Sequence, residues 1–222
     1  MKLPYTLAAA IILSSVPALA QSAMSTTGSQ SGLQYSYFEF GFAVGSPDTD
    51  TISGDGFTAS IGDAAIWGVN VSAALNDFAF LEAGIQLAKQ DITATAGGGV
   101  FSGDLDTTVL YVGIGAHHPI QERVDVYGVI GLAKAEQDLS IGGLSASADD
   151  SGLALRFGLR AMATETLELG LAYSKLDLND TEASDGIGGE LRMHLTERFS
   201  LGAQLQRGDD FTTIGVGARF GF

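Results

Sequence analysis

The segment LALRFGLRA, residues 153–161, alternates without a break: Leu153, Leu155, Phe157, Leu159 and Ala161 fall on one side of an extended chain, Arg156, Gly158 and Arg160 on the other. Only a strand has that period, because successive side chains of an extended backbone point to opposite faces. The pattern is equally strict in YSYFEFGFAV (35–44), where Phe38, Phe40, Phe42 and Val44 oppose Tyr35, Tyr37, Glu39, Gly41 and Ala43. It returns in TTIGVGARFGF (212–222), where Ile214, Val216, Ala218, Phe220 and Phe222 oppose Gly215, Gly217, Arg219 and Gly221. Runs at 67–75, 81–88, 110–117, 124–133, 167–174, 187–195 and 201–205 repeat it, which makes ten strands.

The connections alternate too. Those after the second, fourth, sixth and eighth strands are short: Asn76-Asp77, Pro119 to Arg123, Thr164 to Thr166 and Thr196 to Arg198. Those after the first, third, fifth and seventh are longer and rich in Gly, Asp, Ser and Thr. Residues 45–65, 90–106, 136–152, 176–186 and 206–211 hold 17 of the 26 acidic residues and one basic residue, Arg207, so one rim is strongly negative. Short turns on one rim and longer loops on the other are the layout of a membrane barrel, and an even strand number returns both termini to one rim.

The polar face decides which side is out. It carries Glu39, Glu82, Gln86, Arg156, Arg160, Glu168, Glu190, Arg192, His194 and Arg219, interspersed with glycines such as Gly84, Gly113, Gly115, Gly131 and Gly158. Glycines weaken a solvated outer face, whereas a narrow lumen uses them to admit crowding and curvature, and opposite charges can pair across it. The expected fold is therefore all-β, a closed antiparallel transmembrane up-and-down β-barrel of ten strands, with eight as the smaller alternative. A water-soluble lipocalin-like barrel with its apolar face inside is the competing architecture.

The first twenty residues, MKLPYTLAAAIILSSVPALA, have a lone Lys2, an apolar stretch and the small-x-small run Ala18-Leu19-Ala20. This is the pattern of a secretory signal peptide cleaved between Ala20 and Gln21. The apolar stretch is shorter than the ~20 residues of a spanning helix. Residues 21–32 read as a flexible leader and 33–222 as the barrel. With no cysteine the chain is not a disulfide scaffold, and a formal net charge of -15 excludes a nucleic-acid partner.

The signal peptide, the ten alternating segments, the opening YSYFEFGFAVG, the central GLALRFGLRAMATETLELGLAYSKLDL and the closing LTERFSLGAQLQRGDDFTTIGVGARFGF together resemble the outer-membrane beta-barrel domain family of small Gram-negative porin-like and OmpA/OmpX-like proteins. The resemblance runs from Leu33 to Phe222. It implies residence in the cell outer membrane, with both termini periplasmic and the acidic loops extracellular. It also implies that the barrel-assembly machinery reads Phe222, with Phe220 and Val216 on the same face, as an assembly signal. Outer-membrane lipid and lipopolysaccharide are then the expected neighbours, and a monomer the expected state.

No catalytic centre, metal or cofactor is expected. His117 and His118 are adjacent on a strand and point to opposite faces, so they cannot chelate one ion together, and His194 is alone. The acidic stretches SPDTD, ADDSG and LNDTEASDG lack the fixed offsets of an EF-hand. They read as a solvated rim, or more weakly as a place where calcium or magnesium bridges to lipopolysaccharide phosphates. RGDD, 207–210, suits a turn between strands by its own chemistry. Tyr35, Tyr37, Phe78, Phe80, Phe199, Phe220 and Phe222 are expected at the periplasmic interface and Trp67 and Phe211 at the outer one. Inside, Glu39 on the first strand and Arg219 on the last are expected at the seam, and Arg160 and Glu168 close across a hairpin. Such charges either plug the lumen or line a narrow pore. The corresponding roles are a structural, envelope-integrity or surface-interaction barrel, and alternatively a small porin-like diffusion channel. Deleting Phe222 is expected to reduce the heat-modifiable, folded fraction in outer-membrane preparations several-fold, and to leave the properties of the molecules that do insert unchanged.

Overall fold

The computed structural model describes residues 33–48, 51–54, 57–179, 183–209 and 211–222. The signal peptide, its cleavage point at Ala20 and Gln21, and the leader 21–32 lie outside the described residues. Among the described residues eleven strands form one antiparallel sheet: β1 (Tyr37–Pro47), β2 (Thr51–Gly54), β3 (Phe57–Ala74), β4 (Ala79–Ala96), β5 (Gly99–Gln121), β6 (Val124–Ile141), β7 (Leu144–Met162), β8 (Leu167–Leu178), β9 (Ser184–His194), β10 (Phe199–Gly208) and β11 (Phe211–Gly221). From β3 to β11 each strand pairs with the next, and β1 pairs with both β11 and β3, closing a ring of ten. The short β2 pairs with β3 alone and stands outside the ring.

The seam is in continuous register, with Glu39 opposite Arg219 and Phe40 opposite Ala218 on one side, and Glu39 opposite Asn70 on the other. Closure leaves the period-two pattern with one interpretation. Phe38, Phe40, Trp67, Leu81, Ile85, Val112, Leu132, Leu155, Leu171, Leu191, Leu205 and Val216 are exposed on the outside, while Glu39, Glu82, Arg156, Arg160, Glu168, Arg192 and Arg219 are buried inside. The outside is an apolar band that lipid must cover.

Turn chemistry differs between the two rims. On one rim, Asn76 Oδ1 accepts from the amides of Phe78 (3.0 Å) and Ala79 (2.8 Å). Thr164 Oγ1 accepts from Thr166 (3.2 Å) and Leu167 (3.0 Å), and Thr196 Oγ1 accepts from Arg198 (3.2 Å) and Phe199 (3.0 Å). A short polar side chain replaces a backbone partner in each of these turns. On the opposite rim β4–β5 and β6–β7 are joined by two-residue turns, Gly97-Gly98 (φ 57° and 81°) and Gly142-Gly143 (φ 58° and 82°). Two successive positive φ values are what a tight hairpin with the right twist requires, and glycine adopts them without penalty.

Those turns correct two of the expected loops. Residues 90–106 and 136–152 lie almost wholly in strands, with Asp91 opposite Asp104 and Glu136 opposite Asp149. Their small, Thr- and Ser-rich alternation weakens the apolar signal, because the outer face of these extensions meets water. β3 to β7 have 18, 18, 23, 18 and 19 residues, against 11, 12, 11, 10 and 11 for β1 and β8 to β11. A tilted spanning strand needs about 9–11 residues. One wall therefore only crosses the membrane, and the other rises beyond it by roughly 20 Å of strand at 3.3 Å per residue.

Several inward glycines are slots for aromatic rings. A Cβ on Gly131 would sit 2.5 Å from Tyr111 Cε2 and 2.5 Å from the Val112 carbonyl oxygen. One on Gly115 would sit 2.2 Å from Phe80 Cζ. Gly131→Val is expected to destabilise the barrel by about 1–3 kcal/mol through overpacking. Gly128→Val, on the lipid side and 3.9 Å from its nearest neighbour, is expected to change it little. The midpoint of urea unfolding in lipid vesicles checks both.

Candidate functional site

Glu39, Glu82, Gln86, Arg156, Arg160, Glu168, Glu190, Arg192 and Arg219 are all buried in the lumen, and His194 is half-buried. Strand parity places them there, and cross-strand register decides who meets whom. Arg156 on β7 reaches across the interior to Glu82 on β4, its Nη2 donating to Oε1 at 2.7 Å and Oε2 at 2.5 Å. Arg160 donates from Nε (2.9 Å) and Nη2 (2.5 Å) to Glu168 Oε1. The other carboxylate oxygen of Glu168 lies 2.9 Å from His194 Nε2.

The third group is centred on the seam. Arg219 Nε donates to Glu39 Oε2 at 2.7 Å, and Arg192 Nη2 donates to Glu39 Oε1 at 2.5 Å. Arg192 also donates to Glu190 Oε1 and, at 3.3 Å, to Ser200 Oγ. Glu190 Oε1 lies 3.9 Å from Arg219 Nη2. Each oxygen of Glu39 thus receives one guanidinium. Gly202 makes room for the group, since a Cβ there would meet Glu190 Oε1 at 3.0 Å and Arg192 Nη2 at 3.1 Å.

Aromatic side chains close the gaps between the ion pairs. The Arg219 guanidinium lies 4.3 Å over the Tyr37 ring, a favourable contact for a cation and a π face, and Asn70 Nδ2 donates to Tyr37 Oη at 3.1 Å. Next to the short-turn rim, Tyr35 stacks on His117 with ring centroids 3.4 Å apart. Its hydroxyl donates to Asp125 Oδ2 at 3.1 Å, and the same oxygen lies 3.3 Å from His117 Nδ1. Leu33, two residues earlier, is also buried, so the segment entering β1 tucks into this mouth. Towards the other rim the filling is mixed: Val109, Ala133, Ala135, Ala154, Leu176 and Leu178 form one apolar cluster, Ala43, Ala64, Ile66, Ala88, Leu105 and Phe211 another, and Gln90, Thr107, Gln206 and Thr213 are buried among them.

Four aromatics expected at the membrane interfaces are lumenal instead: Tyr35, Tyr37, Phe80 and Phe211 are between 0% and 3% exposed. Parity overrides position along the strand. Tyr35 and Tyr37 share a face with Glu39, and Phe80 shares one with Glu82. Phe211 lies on the Gly45 slot, where a Cβ would be 2.0 Å from its ring. Trp67, Phe78, Phe199, Phe220 and Phe222 are exposed. The cluster of Tyr35, His117 and Asp125, with Asn70 and Tyr127 deeper in, carries no motif; the same parity count would have found it.

His117 is buried and His118 exposed, on opposite faces of β5. Among the described residues no group of three or more His, Asp or Glu side chains is arranged to hold a metal ion. Arg207 of RGDD pairs with Asp48 and donates to Thr212 Oγ1 at 3.1 Å, while Asp210 lies outside the described residues.

Breaking a buried ion pair from one side leaves an uncompensated charge, whereas replacing both partners with apolar groups is often neutral. Arg156→Met is expected to destabilise the barrel by about 3–5 kcal/mol, and Arg156→Met with Glu82→Leu by much less. A double-mutant cycle on vesicle-embedded protein measures the coupling.

A family model described as outer membrane protein beta-barrel domain matches residues 6–185. Comparison with curated protein sequences gives no match. Among solved structures, the translocator domain of autotransporter NalP from Neisseria meningitidis is similar, with 10% identity, TM-score 0.54, and 84% of this chain and 88% of that one covered. The beta domain of the Bordetella autotransporter BrkA gives 14% identity and TM-score 0.50, covering 84% and 99%. The outer membrane protein OprG from Pseudomonas aeruginosa gives 15% identity and TM-score 0.44, covering 85% and 97%. At these identities the likeness is one of fold. With most of its length matched by the family model and a closed, lipid-faced ring of ten strands, the chain belongs to the outer membrane protein beta-barrel domain family.

Proposed function

We propose that this outer-membrane barrel is a structural element of the envelope with a closed lumen, serving envelope integrity or surface interaction rather than solute transport or catalysis. One observation carries the proposal: the interior is occupied along its length. Arg156–Glu82, Arg160–Glu168 and the group around Glu39 fill the middle. Tyr35 and His117 fill the mouth at the short turns, and aliphatic clusters with buried Gln90, Thr107, Gln206 and Thr213 fill the other half. Ten strands are only slightly more than the eight at which side chains fill a barrel by themselves, and four guanidinium groups with their carboxylates supply the remaining bulk.

In this proposal the short-turn rim and both termini face the periplasm, and the tall acidic wall of β3 to β7 faces outward. The partners are outer-membrane lipid and lipopolysaccharide, with the barrel-assembly machinery acting during biogenesis, and the barrel is monomeric. The outward wall displays Asp104, Asp106, Glu136 and Asp149 around Lys89 and Lys134, a surface of alternating sign suited to polar contacts in water.

Purified protein in a planar bilayer is expected to show no discrete current steps. Reproducible wild-type steps that change in size with Arg156→Ala or Arg160→Ala would overturn the closed lumen and establish the narrow diffusion channel in its place.

A further inference from the structure

The two most exposed large apolar side chains among the described residues are not in the lipid-facing band. They are Leu144, 75% exposed, and Val100, 69% exposed, and they stand at the tips of the two tall hairpins, beside the Gly142-Gly143 and Gly97-Gly98 turns. Phe101, next to Val100, is 43% exposed. These tips rise beyond the spanning length by roughly 20 Å of strand, where the lipid around the barrel does not cover them.

The two tips form one surface. Phe101 leans over the neighbouring turn, so that a Cβ on Gly142 would meet its ring at 2.9 Å, and the Gly142 amide donates to the Ser102 carbonyl at 3.4 Å. One position lower, Gly103 is directly opposite Ile141, and a Cβ there would fall 2.0 Å from the Ser140 carbonyl oxygen. The hairpins are thus held together up to their turns.

Charge is sorted along the same strands. Residues 92–103 and 139–148 contain no charged side chain. Directly beneath, on the outer face, Asp91 is opposite Asp104, Asp106 opposite Asp138 and Glu136 opposite Asp149, with Lys89 and Lys134 among them. The wall ends in an uncharged cap above a belt in which carboxylates outnumber ammonium groups.

An apolar cap exposed to water marks a contact. This one offers a few hundred Å², whereas a stable protein interface takes about 800 Å² from each partner, and a second copy would bring an acidic belt of its own. A bilayer needs less area and penalises charge, and apolar groups enter its headgroup–acyl boundary by about 5–10 Å. From Phe101 to Asp104 is three residues, about 10 Å of strand and about 8 Å along the membrane normal for a strand tilted by about 40°. With the apolar side chains at that boundary, the carboxylates are level with the outermost headgroup layer, which in phosphatidylcholine is the choline cation. An anionic lipid is repelled by the same belt. We infer that the paired tips are a contact site for an apposed zwitterionic bilayer, with Val100, Phe101 and Leu144 entering the headgroup–acyl boundary and the carboxylates beneath lying among the cholines. The inference rests on the surface-interaction reading above and gives that surface a partner.

The chain has no cysteine, so Ser145→Cys, beside Leu144, takes a single NBD fluorophore. The labelled barrel is placed in nanodiscs, which leave both rims open, so the result depends neither on orientation in the cell nor on whether the lumen conducts. Excess phosphatidylcholine vesicles are expected to shift the NBD emission to the blue, and to quench it when the vesicles carry doxyl-labelled phosphatidylcholine. Phosphatidylglycerol vesicles at low ionic strength are expected to give a several-fold smaller response, with salt narrowing the difference. Val100→Ser, Phe101→Ser and Leu144→Ser together are expected to abolish the response to phosphatidylcholine, and heat-modifiable gel mobility shows that this variant is folded. No response to phosphatidylcholine overturns the inference, as does an equal response to phosphatidylglycerol at low salt or a response that survives the three substitutions in a folded barrel. Discs that pair with one another without vesicles, through the same three side chains, assign the tips to a second copy and overturn it too. The lumen reading stands or falls separately, on the planar-bilayer recording.

Discussion

Every unpaired backbone amide or carbonyl in hydrocarbon costs several kcal/mol, and β1 is the strand on which that cost turns. It pairs along its length with β11 on one side and β3 on the other, so the ring has no edge within the membrane. Once the ring is closed, the side chains have only two places to go. The outer face must be apolar because lipid covers it, and whatever is polar must be accommodated within a narrow interior.

That interior is expensive to charge and is charged nonetheless. Desolvating an ion is compensated only when its partner is close and its remaining bonding positions are used. The sharing of Glu39 between Arg192 and Arg219, and of Glu168 between Arg160 and His194, does this with few groups. Bulky guanidinium and phenol groups would not fit among residues with side chains at every position. The glycines on the same face accommodate them, which is why two features that look contradictory in a strand, many charges and many glycines, occur together.

The fold was legible because period two is unambiguous in segments such as 153–161 and 212–222, and because closure makes Glu39 and Arg219 neighbours. Long-range partners such as Arg156 and Glu82, 74 residues apart, depend on how the ring is staggered, which no local pattern reveals. The tall hairpins were obscured for another reason. In water the outer face of a strand needs no leucines, so 90–106 and 136–152 lose the apolar signal while keeping the geometry. Tyr35 and Phe211 lie in the lumen although both are near strand ends, because parity is a stronger constraint than position along the strand.

The unequal walls carry a consequence for life in a crowded membrane. Beyond the hydrocarbon β3 to β7 are no longer a ring but an open sheet with two flanks. On one flank β2 lies along β3 and occupies its hydrogen-bonding positions. On the other, no strand among the described residues pairs with β7 from Leu144 to Asp149 on the side away from β6. That stretch, LSASAD, has a single large apolar side chain and ends on a carboxylate, a composition that discourages zippering with a passing strand. The sheet thus has a covered selvedge and a guarded one, and neighbouring barrels can touch without being knitted together.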